Sequence, residues 1–436
     1  MHQLIERAKN AVDQAELYWK QKHSIEVSYE NNRLQEIAED DLSSVAVRVI
    51  NEEKMGSTFA VNPDQEGLIE QAKTASSHGD RATFSFASAG DYPAVEPVDA
   101  ETAALTSEKL VTLCESTLDE IRSRRDDLAL GVYASLEAQS LRVETTEGAQ
   151  GHHNSAETQF VISAPIKGAG IGVYKVDLST TPLTTPHGLI DEFLEWYGWT
   201  EKTSTPATGR LPVIFSPDSS FLYLLPLWAG LEGGALEKKT SPVVERLGDQ
   251  ILSEKLTIFE DSISPGGFGA RPFDDEGVAC GKRAVVENGV LKSFLLDQRT
   301  GSALGQASTG NASKRELFGG GTETKPTPWP LRWQMPAGTT PYRDMIASLD
   351  EALLVYYGMG FHSGNYPQGQ FSIQAIGFHI KAGEVVGRLE NTMISANIYE
   401  DFKNVREVSA ERGPSLGFLN VQAPYVLVDS VQVAGS

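Results

Sequence analysis

Apolar residues recur at spacings of three and four from the start of the chain. Leu4, Ile5, Ala8, Val12, Ala15 and Trp19 fall on one face and predict a first helix. Alternation then takes over. Ile25, Val27 and Tyr29 alternate with polar residues as a half-buried strand requires, Asn31-Asn32 supplies turn chemistry, and a second strand follows over 33–39. Val45 to Ile50 predicts a third strand, a turn over 51–54 comes next, and a fourth strand runs from about Met55 to Val61. Asp64 is placed to cap a helix through Ala75. A helix, meandering strands and a second helix make a mixed α+β unit.

The stretch from Pro93 to Pro97 has no period and reads as a connection. A long helix begins near Thr106-Ser107-Glu108, with Leu110, Leu113, Thr117, Leu118 and Ile121 in one stripe, and strands over 128–136, 141–145 and 158–166 follow. Beyond Ser179 to Pro182 and Thr203 to Gly209 the pattern changes to short strands punctuated by Gly and Pro, at 233–234, 265–267, 319–321 and 329–330. The prediction is an α+β fold: a mixed helix/sheet amino-terminal domain over residues 1–200 and a β-rich, barrel-like carboxyl-terminal domain over 201–436. Two hairpins in the second half look alike, one turning at Glu287-Asn288-Gly289 and one at Lys381-Ala382-Gly383. An internal duplication and the common sterics of tight turns both account for that likeness.

Charge narrows the function classes. The 37 Lys+Arg against 59 Asp+Glu leave a net charge of −22, which repels phosphate backbones, so nucleic acid is not an expected partner. The longest apolar run, Phe221 to Leu231, falls short of the roughly 20 residues that span a bilayer, and no membrane association is expected. The first residues lack the features of a secretory signal, and Cys114 and Cys280 form no C-x-x-C pair. A cytoplasmic protein with two buried free thiols is the expectation.

Candidate chemistry is sparse. The eight histidines are scattered; His152-His153 reads as a solvated loop pair, and His362 and His379 flank a Gly-rich segment without helical metal-ligand spacing. No G-x-S-x-G elbow is present. Asp274, Asp275 and Glu276 form the densest carboxylate group beside glycine, a pattern that suits acid–base work when the environments differ, or backbone capping when they do not. Gly319-Gly320-Gly321 lacks a following Lys-Ser/Thr and reads as a flexible or peptide-facing loop. Trp329, Leu331, Trp333 and Met335 lie in a Pro-bounded segment, either as interface anchors or as a lid over the chain's own core.

Several segments, taken in order, resemble the PmbA/TldD family, the TldD/TldE-type metallopeptidases also named for a link to DNA gyrase. Val27 to Arg33 and Ser44 to Ile50 resemble its opening strands. Gly230-Leu231-Glu232-Gly233 and Leu247 to Asp261 resemble its central signature. Arg271 to Gly277, Val290 to Asp297 and Thr309-Gly310-Asn311-Ala312 form the most specific part, and Gln370 to Phe378 with Val431 to Gly435 resemble its closing segments. In metal-bearing members an H-E-x-x-x-H helix precedes the Gly-Leu-Glu-Gly block. Here Leu224, Leu225 and Ala229 stand where the two His and the Glu would be, Pro226 disfavours a helix interior, and the span from Arg412 to Pro424 holds no cysteine ligand.

The resemblance therefore implies the metal-less, TldE/PmbA-like branch: no catalytic residue, no metal and no cofactor in this chain. It implies a metal-bearing TldD-like homologue as partner, in a dimer enclosing a chamber for extended peptide. A homodimer that binds peptide without hydrolysing it, and a stand-alone hydrolase using Asp274-Asp275 with a histidine, are the competing functions. Asp274, Asp275, Glu276, Asn311, Trp329 and Trp333 are the expected peptide-binding residues.

Overall fold

A computed structural model describes residues 2–61, 67–166, 171–415 and 417–435. The first helix, α1 (His2–Lys9), stops before β1 (Gln14–Glu30), so Ala15 and Trp19 stand in a strand rather than on the expected helix. Both faces are covered here. Ala15 and Leu17 pack with Ile5 of α1 and with Leu68 and Ile69 of α2 (Leu68–Ser76), while Tyr18 packs on Phe273 from the other side. Apolar residues on both faces erase the period of two and imitate helical spacing.

The amino-terminal sheet is antiparallel. Its strands are β1, β2 (Arg33–Asn51), β3 (Lys54–Val61), β4 (Gly131–Thr145), β5 (Gln150–Ala164) and β6 (Val173–Ser179), in the order β3-β2-β1-β4-β5-β6. Asn31 and Asn32, at φ of +50° and +64°, make the tight turn between β1 and β2. Segments 33–39 and 45–50, expected as two strands, are one, as are 128–136 and 141–145. Solvent-exposed residues around Asp40 to Leu42 interrupt the apolar pattern without interrupting the ladder. The helix expected through Ala75 is α2, entered through Gly67; Asp64 lies outside the described residues.

One face of this sheet is covered by helices. Asp99 caps α3 (Ala100–Ala103) and Thr106 caps α4 (Ser107–Arg124). The α4 stripe of Leu110, Leu113, Leu118 and Ile121 buries Ile25 and Val27 of β1, Val132 and Ala134 of β4, and Phe160 and Ile162 of β5. Alternation along each strand then turns the intervening residues to the opposite face.

Helix α5 (His187–Trp199) links this layer to the second half, where β7 (Thr203–Ser204) and β8 (Gly209–Phe215) begin a twelve-stranded sheet. Within it β8 and strands Glu351–Met359, Gln370–Lys381, Thr392–Asn397 and Val421–Gly435 close a five-stranded barrel. The fold is α+β, as the periodicity predicts. Ile214, Leu354, Tyr356, Phe378 and Leu427 pack outward on Ile190, Phe193 and Trp196 of α5. Val213, Phe215, Leu353, Val355 and Val426 instead join α6 (Phe221–Leu231) in a separate core.

Helix α6 is apolar all round and buried except at Trp228. Pro226 sits inside it, against the expectation that proline would break the helix. Its missing N–H leaves one carbonyl of the preceding turn without its usual donor. Burial of nearly every neighbouring side chain holds the helix together regardless, as tertiary packing commonly does for short helices. No helix among the described residues is long and apolar enough to cross a membrane.

Candidate functional site

The sheet face turned away from α4 forms one wall of a cavity of about 690 Å³. Alternation places Lys20, Lys22 and Glu26 of β1, Glu137 of β4, and His153 and Glu157 of β5 on this wall. The facing wall is built from loops of the second half, including 268–271, Lys314 and the Gly319–Gly321 segment. The glycine run thus lines the cavity, with Gly319–Gly320 paired to Arg315–Glu316 as a short strand.

Charges on this wall are held by close partners. Gly269 N–H donates to Glu157 Oε1 at 2.5 Å, and Lys22 Nζ lies 3.5 Å from Glu137. Burial pushes the Glu157 carboxyl up to about 7, against the lowering effect of the Gly269 amide. His153 Nε2 donates to the Ala270 carbonyl at 3.0 Å, and burial, then the Arg271 charge, push its imidazole down to about 4. His152-His153 lies on β5 and not in a loop, with His152 exposed. A folded carboxyl raised from 4.5 to about 7 keeps a proton that the unfolded chain loses, so its contribution to stability falls as pH rises through that window. Glu157→Gln is therefore expected to leave stability unchanged near about pH 4 and to raise it near about pH 8. Urea midpoints that track the parent protein at both pH values would show that Glu157 titrates normally.

The carboxylates singled out in the sequence are buried and engaged. Asp274 accepts from Glu276 N–H (3.0 Å), Val278 N–H (2.9 Å) and Ala312 N–H (2.9 Å). Asp275 accepts from Arg271 Nη2 (2.6 Å) and Lys314 N–H (2.7 Å). Glu276 accepts from Gln298 N–H (2.8 Å) and from Arg48 Nη2 (3.0 Å), and Arg48 also forks onto Glu16 at 2.8 and 2.5 Å. These acids tie the amino-terminal sheet to three segments of the second half. Burial raises both Asp274 and Glu276; at Asp275 burial also pushes upward, but the charge and hydrogen bond of Arg271 and the Lys314 amide outweigh it and leave the carboxyl lowered.

Asn311 is fully buried. It donates to Glu260 Oε2 (2.9 Å) and the Trp329 carbonyl (3.1 Å), and accepts from Thr309 Oγ1 (2.9 Å) and Arg283. Trp329, Trp333 and Met335 join the chain's own core, with Trp329 ring-to-ring on Trp228 at 4.4 Å, while Leu331, also buried, lines the cavity. Of the six residues expected to meet peptide, Asp275 and Trp329 border the cavity; Asp274, Glu276, Asn311 and Trp333 lie behind its wall. His379 is buried between Ser204 (2.8 Å) and Glu351 (3.2 Å), and His362 is exposed on a separate turn. The sequence reading missed Lys20, Glu137 and Glu157. Their only signal was an unusually ionisable polar face on strands whose other face is apolar.

A family profile described as PmbA/TldA metallopeptidase C-terminal domain matches residues 208–435, more than half of the chain, and one described as PmbA/TldA metallopeptidase domain 1 matches residues 15–78. The chain belongs to the PmbA/TldD metallopeptidase family. A protein named Metalloprotease PmbA homolog from Haemophilus influenzae is 28% identical over 230 residues, 53% of this chain and 47% of that protein. A protein named Metalloprotease from Archaeoglobus fulgidus is 25% identical over 406 residues, 89% of this chain and 91% of its own length. This PmbA/TldD chain thus spans about half the length of the first curated relatives it matches and nearly all of the Archaeoglobus protein. The crystal structure of TldE from Thermococcus kodakarensis superposes with a TM-score of 0.90 at 24% identity, covering 100% of both chains, which fixes the fold.

The family description implies a metal, and the donor set can be tested against it. Among the described residues of this PmbA/TldD chain, no three His, Cys, Asp or Glu side chains converge in a way that could hold an ion. Leu224, Leu225 and Ala229 on α6 offer no lone pair and are closed off from solvent. The described residues do not fit a resident metal.

Proposed function

We propose that this chain is a non-catalytic, peptide-handling subunit of a TldD/TldE-like metallopeptidase complex, acting in proteolysis or peptide maturation beside a metal-bearing homologue. The observation that carries the reading is α6: where the resemblance places the metal-bearing helix, this chain has side chains that are alkyl or aromatic and almost wholly buried. The cavity supports the peptide-handling part. Its volume lies within the range of ligand sites, and the sheet that walls it ends in strands β3 and β6, whose outer edges are able to pair with an extended backbone. Asp275 and Trp329 are then the wall residues that a peptide meets. Asp274, Glu276, Asn311 and Trp333 shape that wall from behind.

Coexpression with the metal-bearing homologue is the test. The two chains are expected to copurify in equal amounts, with zinc on the homologue and peptide hydrolysis requiring both. One zinc per chain in the isolated, dialysed protein, or hydrolysis by this chain alone in excess chelator, would overturn the reading. Sedimentation of the isolated chain as a stable dimer that ignores the homologue would favour the homodimeric peptide-binding alternative.

A further inference from the structure

A second cavity, of about 640 Å³, lies across the loop 265–271 from the first, and Phe268 borders both. Its lining is basic in a chain whose net charge is −22. Arg332, Arg412 and Lys282 face it, with Asp261 as the acidic lining residue. Lys282 Nζ lies 2.9 Å from Asp261 Oδ2, and Ser264 donates to the same carboxylate through N–H at 3.0 Å and Oγ at 2.8 Å, so that acid is fully engaged. Among the described residues neither arginine side chain has a carboxylate partner. Arg332 Nη1 donates to the carbonyls of Asp261 (3.0 Å) and Ser264 (2.6 Å), and Arg412 Nη2 to Gln334 Oε1 (2.7 Å) and the Gln422 carbonyl (3.2 Å). Every one of these acceptors is neutral.

Arg332 is only 4% exposed, and its Nε is buried with no acceptor among the described residues. A buried guanidinium with an unsatisfied donor is costly unless something supplies the missing acceptor. The fields of Asp261, Glu157 and Glu260 reach it but do not offset its burial, which lowers its proton affinity; Arg412 is lowered by burial and then by the charge of Arg332 itself. The backbone is cut to fit this side chain. A Cβ on Gly267 would collide with the Arg332 guanidinium, so glycine there lets the loop close over it. On the other side, Leu178 to Thr181 at the end of edge strand β6 bring hydroxyls and a strand edge to the rim. At the rim, Gly266 N–H already donates to Glu96 at 2.6 Å.

We infer that this cavity is a binding site for a carboxylate, held in the fork of Arg332 and Arg412 with Lys282 at its mouth. Planar guanidinium groups match a carboxylate in two parallel hydrogen bonds, the arrangement that gives arginine its preference for such ligands. The carboxylate comes either from the carboxyl terminus of a peptide laid along β6 or from a small free acid. The site is distinct from the larger cavity and stands or falls separately from the role proposed for it.

Calorimetric titration of the full chain with a free-acid hexapeptide, its carboxyl-terminal amide, succinate and inorganic phosphate tests the assignment. The free-acid peptide or succinate is expected to bind, the amide at least about tenfold more weakly, and Arg412→Gln to lose at least about tenfold in affinity with an unchanged melting temperature. Gly267→Ala, which displaces the Arg332 guanidinium, is expected to weaken the same ligand. Binding of the free-acid peptide without succinate assigns the peptide terminus, and succinate without the peptide assigns a small acid. Equal affinity for acid and amide, unchanged affinity in Arg412→Gln, binding of phosphate alone, or no binding by any of the four would overturn the proposal.

Discussion

Arg48→Ala is expected to lower the stability of the chain by about 3–5 kcal/mol, the range found when one partner of a buried ion pair is removed. Arg48 is 7% exposed and sits between Glu16 and Glu276, each 1% exposed. Its loss strands two almost fully buried carboxylates. Glu276 is already raised by burial and by the charges of Asp297, Asp274 and Glu16, with Arg48 holding it down, so the variant drives Glu276 to take up a proton. A triple variant, Arg48→Met with Glu16→Leu and Glu276→Gln, is expected to recover most of the loss. An apolar replacement of a buried ion pair is often neutral, and the side-chain amide introduced by Glu276→Gln keeps an oxygen to accept from Gln298 N–H. Urea unfolding of the three proteins measures both statements. An Arg48→Ala cost below about 1 kcal/mol, the value of an exposed pair, would mean that water enters this cluster.

Rebuilding the family's metal motif on α6 is expected to unfold the protein rather than arm it. Leu224 and Leu225 are 0% exposed, in a core shared with Phe221, Phe215 and Val355, and Ala229 is 9% exposed. Leu225→Glu alone places a carboxylate where no donor waits for it, at an expected loss of about 3–5 kcal/mol, and the triple variant Leu224→His, Leu225→Glu, Ala229→His adds two imidazoles to the same packed space. Leu225→Met keeps the volume and is expected to lose less than about 1.5 kcal/mol. Thermal melts with and without zinc decide the matter. A triple variant that melts like the parent and retains one zinc through dialysis would show that this helix face opens onto a cavity after all.

How much of this was legible in the sequence differs between the elements. The α4 helix was readable because a capping threonine and a single apolar stripe coincide with one buried face. The hairpins at Asn31-Asn32 and Asn288-Gly289 were readable because their residues tolerate the positive φ that the turn imposes. The start of β1 was not, since burial on both faces removes the alternation. Helix α6 defied its proline because packing outweighs one lost hydrogen bond. The site was legible in the least degree. Asp274 to Glu276 stood out by density, yet what they do depends on Arg48 and Ala312, which the fold brings in from elsewhere in the chain, as well as on the neighbouring Arg271. The Arg332–Arg412 pocket left no local pattern at all, because eighty residues separate its two arginines.

The barrel has a consequence for the order in which the chain can be built. Strand Val421–Gly435 pairs with β8 on one side and Thr392–Asn397 on the other, and also holds Val405–Pro414 and Trp333–Gln334. It is the last stave to leave the ribosome. Until it emerges, β8 and Thr392–Asn397 each present an open edge, and the carboxyl-terminal core around α6 has no closed wall. The amino-terminal sheet, whose six strands all precede residue 180, can pair earlier. Synthesis therefore passes through a long interval in which a finished sheet is tethered to an unclosed, aggregation-prone half. A chain stalled before residue 421 is a ready client for chaperones, and strand closure, more than helix formation, sets when the protein becomes safe to release.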